Sequence, residues 1–212
     1  MSTHSSDTRQ RFLQAIFERG AEGASMALSR WLGTEVRLTV SGIERVDLAE
    51  ASEALGSPDS LIAACAMGLT GPLGGMILLA FEDRAGLALA DLLLNQPIGT
   101  AAEWGELEQS AARETTNIVG CAYLNALAAH LPMKPSDELT PTPPSFLREF
   151  AGSLIQFALM EQAMEFDQVL LARAAFDAGR ADLDLRWTLL LIPDRRSLRD
   201  LTAGLADDPQ AP

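Results

Sequence analysis

Leu78-Leu79-Ala80-Phe81-Glu82-Asp83-Arg84 recurs in looser form as Leu189-Leu190-Leu191-Ile192-Pro193-Asp194-Arg195, an offset of 195 minus 84, or 111 residues. Each copy runs apolar and then turns acidic, the pattern of a strand leading into a helix whose dipole favours a carboxylate in its first turn. Upstream, Ala27-Leu28-Ser29-Arg30-Trp31-Leu32 lies over Ala126-Leu127-Ala128-Ala129-His130-Leu131, an offset of 126 minus 27, or 99. The chain therefore reads as a weak internal duplication whose later half has gained about a dozen residues between helix and hairpin. Two halves with the same order would pair their strands into one sheet with helices laid on it. The fold class expected is α+β: a pseudo-two-fold duplicated domain, an antiparallel-hairpin sheet with two long helices and shorter flanking helices.

Working outward from these repeats, the first half opens on a long helix over about residues 8–32, with Phe12, Ile16, Ala24, Ala27, Leu28 and Trp31 at helical spacing and Gly33 as its stop. Residues 36–46 alternate Val36, Leu38 and Val40 against Arg37, Thr39 and Ser41, as a half-buried strand does. A short helix over 48–55 follows. Residues 61–81 read as a hairpin around Thr70-Gly71-Pro72-Leu73-Gly74-Gly75, a turn that has neither the Lys-Ser/Thr ending of a P-loop nor a dinucleotide-binding spacing. A helix then runs to about Leu94 and stops at Asn95-Gln96-Pro97.

The second half is read as a long helix over 104–131, a proline-rich loop over 132–144 and a helix over 145–165. Strands over 169–176 and 183–192 follow around Asp177-Ala178-Gly179-Arg180, then a closing helix over 194–205. The expected domain is 8–205, with halves at about 8–97 and 98–205. Residues 1–7 and 206–212 are polar, small or proline-bearing and are expected to be flexible tails.

Composition narrows the function. The 212 residues are 48% hydrophobic and 21% charged with a mean hydropathy of +0.10, enough apolar surface for a folded core. A net charge of −13, from 29 acidic and 16 basic residues, repels phosphate backbones and anionic lipid, which argues against nucleic acid and membrane surface as partners. The first residues lack the basic-then-apolar pattern of a secretion signal and the apolar runs are too short to span a bilayer, so a cytoplasmic location is expected. Cys65 and Cys121 read as ordinary thiols, and His4 and His130 lie far apart, leaving nothing at metal-ligand spacing.

On the second long helix Ser110, Glu114 and Asn117 stand at i, i+4 and i+7, which places them on one face. The apolar stripe of Leu107, Ala111, Ile118, Ala122 and Ala126 points to a neighbouring sector, so the trio should border solvent. A carboxylate beside an amide is then offered to whatever docks. An amphipathic helix also needs polar residues on its wet face, and spacing alone does not separate the two readings.

This stretch resembles the CheC, CheX and FliY phosphatase family, closest to CheC, whose signature is Asp or Ser, three residues, Glu, two residues, Asn, and a later Pro. Ser110, Glu114 and Asn117 fit without a gap, the resemblance continues through Gly120-Cys121-Ala122-Tyr123-Leu124-Asn125-Ala126-Leu127, and Leu89-Ala90-Asp91-Leu92-Leu93-Leu94 looks like the helix preceding the family's second site. The proline arrives about four residues late, in Pro141-Thr142-Pro143-Pro144, with Pro144 as the match. Members near CheC often repeat the motif on the first helix. Here the 99-residue offset puts Arg11, Ala15 and Glu18 at those positions, a face with neither the carboxylate nor the amide donor in place. A second frame, aligning Glu18 with Glu114, puts Ala21 at the Asn position and is also incomplete.

The resemblance implies hydrolysis of the aspartyl phosphate of a CheY-like response regulator, with no cofactor in this chain and magnesium supplied by the partner. Asn117 would orient the attacking water, Glu114 would pair with the partner's lysine, and Ser110 would be a minor docking contact. The alternative is a non-catalytic module that binds a response regulator or a CheD-like deamidase. A hydrolase with its own small-molecule substrate lacks a nucleophile and base near each other in sequence.

Overall fold

The repeated apolar runs are strands buried on both faces. In β3 (Gly75–Glu82), Ile77, Leu79 and Phe81 face one core while Met76, Leu78 and Ala80 face another. β7 (Leu185–Pro193) divides in the same way, Trp187, Leu189 and Leu191 against Leu190 and Ile192. Covering both faces replaces the usual alternation of a half-buried strand with a continuous apolar run.

The structure is a computed structural model that describes residues 2–129, 138–154, 168–177, 185–194 and 196–197. The chain runs α1 (Ser2–Leu32), β1 (Arg37–Asp47), α2 (Leu48–Ala54), β2 (Leu61–Thr70), β3, α3 (Asp83–Leu93), α4 (Glu106–Ala128), β4 (Thr140–Pro141), β5 (Ser145–Phe150), β6 (Gln168–Asp177) and β7. The seven strands form one antiparallel sheet in the order β1-β6-β7-β3-β2-β4, with β5 also on β2. One face carries α1, α3 and α4, and the other is covered by α2 and the helical residues 151–154.

The order is symmetric about the β3–β7 pair: exchanging β1 with β5, β2 with β6 and β3 with β7 returns the same sheet. The expected duplicated α+β fold is therefore the observed one. The halves interleave, because β1 pairs with β6 of the later half and β5 pairs with β2 of the earlier one.

Several expectations are corrected. Residues 145–165 were expected as one helix, but 145–150 form β5 and helix is present only at 151–154 among the described residues. Ser145-Phe146-Leu147-Arg148-Glu149-Phe150 is short and lies at the sheet edge, so its burial is too shallow to give a clean period of two. Part of the expected proline loop is also sheet. Thr142 N–H donates to the Gly68 carbonyl at 2.8 Å and its hydroxyl accepts from Gly68 N–H at 2.9 Å, so this edge tolerates the missing donors of Pro141, Pro143 and Pro144.

Leu107, placed in the apolar stripe, is 63% exposed, and Trp31 is 41% exposed. The first helix begins at Ser2 rather than near residue 8. Gly33 ends it as expected, at φ 66°, the left-handed geometry that glycine adopts without steric cost. Asp194 accepts from Ser197 N–H at 2.6 Å, a helix-opening contact, with 196–197 helical. The rest of the expected closing helix, the turn after Asp177 and the segment 206–212 lie outside the described residues.

Candidate functional site: the α4 face and its proline wall

The start of α4 is pinned from two directions. Asp91, fully buried on α3, accepts backbone N–H from Gly99 at 2.7 Å, Thr100 at 3.0 Å and Ala101 at 2.9 Å. These bonds fold the connection that follows Asn95, whose φ of 56° closes α3. Trp104 then donates its indole N–H to Asp83 at 2.9 Å and stacks obliquely on Phe146 of β5, ring centroids 4.9 Å apart. Arg148, also on β5, forks onto the same carboxylate at 2.7 and 2.9 Å. The Arg148 hydrogen bonds hold the Asp83 carboxyl below its ordinary value against partial burial, with the Trp104 bond acting in the same direction. Helix α4, the edge strand and α3 thus meet at one carboxylate.

Along α4 the sheet-facing residues Ala112, Thr116, Val119, Tyr123 and Leu127 are buried, and the two threonine hydroxyls donate back to helix carbonyls at Ala111 (from Thr115, 2.8 Å) and Ala112 (from Thr116, 2.9 Å). That burial turns Ser110 and Glu114 outward, both exposed, with Asn117 half-buried beside them. Opposite stands the proline edge. Ser110, Arg113, Glu114 and Asn117 from α4 and Pro141, Thr142, Pro143 and Pro144 from the edge line one groove of about 440 Å³.

All four residues singled out from the sequence, Ser110, Glu114, Asn117 and Pro144, lie along this groove. Three others were missed. Thr142 ties the proline wall to β2, Arg113 adds a guanidinium, and Cys121 sits one turn beyond Asn117 with its thiol 3.7 Å from Asn117 Oδ1. Burial, and then the charge of Glu114, push the Cys121 thiol up, so it stays protonated and able to donate at neutral pH. Only the i+4 spacing from Asn117 signalled Cys121 in the sequence. Arg113 had no such signal, because its place depends on the distant proline wall.

A second groove of about 570 Å³ runs between α1 and α4, lined among others by Met26, Ile118 and Cys121, and shares Asn117 with the first. The helices approach closely there: a Cβ on Gly20 would lie 2.5 Å from the Tyr123 ring, and the Phe17 and Tyr123 centroids are 5.3 Å apart. The burial pattern agrees with the 99-residue register. At an offset of 99, Ile16, Phe17, Gly20, Ala21, Ala24 and Leu28 fall on Thr115, Thr116, Val119, Gly120, Tyr123 and Leu127, and every one of these is buried. In this frame exposed Arg11, Ala15 and Glu18 answer to Ser110, Glu114 and Asn117. Glu18 accepts instead from Gln14 on its own helix at 2.9 Å.

Among the described residues no cluster of three or more His, Cys, Asp or Glu could hold a metal ion, and no helix is long and apolar enough to cross a membrane. The arrangement offers a hydroxyl, a carboxylate, an amide and a guanidinium to a partner that can reach into the groove.

The fold is similar to those of solved FliY and FliM middle-domain structures, and it is the fold that the sequence resemblance implied. Thermotoga maritima FliY matches with a TM-score of 0.73 at 14% identity, covering 93% of this chain and 96% of that one. The FliM middle domain from H. pylori matches with a TM-score of 0.66 at 14% identity over 96% and 99%, and a chain of the H. pylori FliG–FliM complex with 0.68 at 12% over 96% and 100%. At these identities the likeness is one of fold and does not rank the members of the group. No family model matches the sequence.

Proposed function

We propose that this chain is a phosphatase for the aspartyl phosphate of a CheY-like response regulator. The observation that carries this reading is the gathering of Ser110, Glu114, Asn117 and Pro144 along one accessible groove. No histidine, lysine or cysteine lines the groove among the described residues, and the chemistry it suits is positioning. Asn117 enters the partner's site and orients a water with its amide, which both donates and accepts. The water oxygen bonds to phosphorus as the bond from phosphorus to the carboxylate oxygen breaks. The carboxylate leaves with the electron pair, and the water's proton ends on the phosphate.

Glu114 pairs with a lysine of the partner and sets the depth of insertion, while Ser110 is a docking contact. Magnesium belongs to the regulator. The test is the lifetime of the phosphoryl group on purified regulators with and without this chain. Shortening by wild type but not by a Glu114→Ala, Asn117→Ala double variant is expected. Equal shortening by both would refute the site.

A second reading is favoured by one finding: the FliM fold appears in complexes with FliG and with SpeE, so it serves as a protein-binding module in those proteins. Here the same groove would bind a response regulator or a CheD-like deamidase without chemistry. Binding without any change in phosphoryl lifetime distinguishes this outcome.

A further inference from the structure

Glu114 and Arg113 are neighbours in sequence, yet about 100° apart around the helix, so they do not neutralise each other. The residues three and four positions either side of Arg113 are Gln109, Ser110, Thr116 and Asn117, none of them acidic. Those of Glu114 are Ser110, Ala111, Asn117 and Ile118, none of them basic. Among the described residues neither side chain has an ion-pair partner. A half-buried arginine with no carboxylate partner among the described residues is unexpected in a chain of net charge −13, where acidic residues outnumber basic ones by 29 to 16. The groove therefore presents a separated pair of opposite charges, with Asn117 between them around the helix and the proline edge as the far wall.

An occupant that satisfies both charges needs an anion and a cation a few ångströms apart. A phosphorylated carboxylate beside an ammonium group has that pattern. A guanidinium suits the anion, since its fork of N–H donors matches phosphoryl oxygens and stays charged at any working pH. We propose that Arg113 contacts the phosphoryl oxygens of the docked regulator directly, stabilising the charge spread over them while the bond to the carboxylate breaks. This rests on the phosphatase reading and adds to it a positive group supplied by this chain.

The test compares wild type, Arg113→Gln and Arg113→Lys, all checked for unchanged melting temperature, in two assays. One measures kcat and KM for regulator dephosphorylation. The other measures affinity for the regulator with magnesium and beryllium fluoride bound in place of the phosphoryl group, and for the same regulator without them. Arg113→Gln is expected to lower kcat by about tenfold to a hundredfold and to erase the preference for the loaded regulator, with partial recovery in Arg113→Lys. If wild type shortens phosphoryl lifetime and Arg113→Gln keeps both its kcat and its preference, the role of Arg113 is overturned and the phosphatase reading stands. If wild type neither binds nor dephosphorylates any regulator tried, both fall.

Discussion

Asn117 stands where the two grooves meet, half-buried, with the Cys121 thiol toward its oxygen. A thiol donating to Oδ1 leaves both amide N–H donors for other partners, which a water-positioning role needs. Asn117→Ala is expected to lower kcat by on the order of a hundredfold while leaving regulator affinity within a few-fold. Glu114→Ala should weaken both, and steady-state dephosphorylation with a binding titration separates the two. Cys121→Ala removes only the restraint on the amide, so kcat should fall a few-fold with KM unchanged, and Cys121→Ser should restore it. The trio was legible in the sequence because helical geometry puts i, i+4 and i+7 on one face and because the stretch resembles the CheC, CheX and FliY signature. Arg113 was not, since its meaning comes from a wall about thirty residues further along the chain.

The elements tell a similar story about local and distant signals. Helices α1 and α4 were readable from periodicity, and Gly33 marked a stop that the backbone confirms at φ 66°. β5 was misread as helix because an edge strand with one hydrogen-bonded neighbour has a weak pattern of its own. The duplication held the missing signal: β1 precedes α2 in the first half, so a strand should precede the helix at 151–154 in the second.

Two predictions belong at this scale. Asp91→Ala strands the N–H groups of Gly99 and Ala101 ahead of α4, while Thr100 N–H keeps its 3.1 Å bond to the Pro97 carbonyl, and should cost on the order of 2 kcal/mol, read by denaturant unfolding. Asp83, held below its ordinary value of 3.8, contributes stability above that pH and loses it as pH falls through the lowered value in the folded state. Melting temperature is therefore expected to drop below about pH 4, and the drop should shrink in Arg148→Gln.

At the scale of the whole molecule, the close α1–α4 contact depends on Gly20 against the Tyr123 ring and on Gly23 against Ala122. Gly20→Val drives two methyl groups toward that ring and should destabilise by roughly 2 to 3 kcal/mol, measurable as a lower melting temperature. The repeated apolar runs made the duplicated architecture readable from sequence, but not the way in which the halves share strands. Pairing partners are set by contacts across more than a hundred residues, which periodicity does not carry: Val40 lies against Ala174. Fragments 1–97 and 98–212 expressed together are expected to co-purify as one folded complex, while either alone should be insoluble. A soluble, folded single fragment would contradict this.

The interleaved sheet also bears on what either half could do alone. A lone half would leave its leading strand with nowhere to lie and one rim of its hairpin bare, and a second identical copy supplies both remedies at once. Two identical halves exchanging their leading strands would thus build the same sheet that this chain builds by itself.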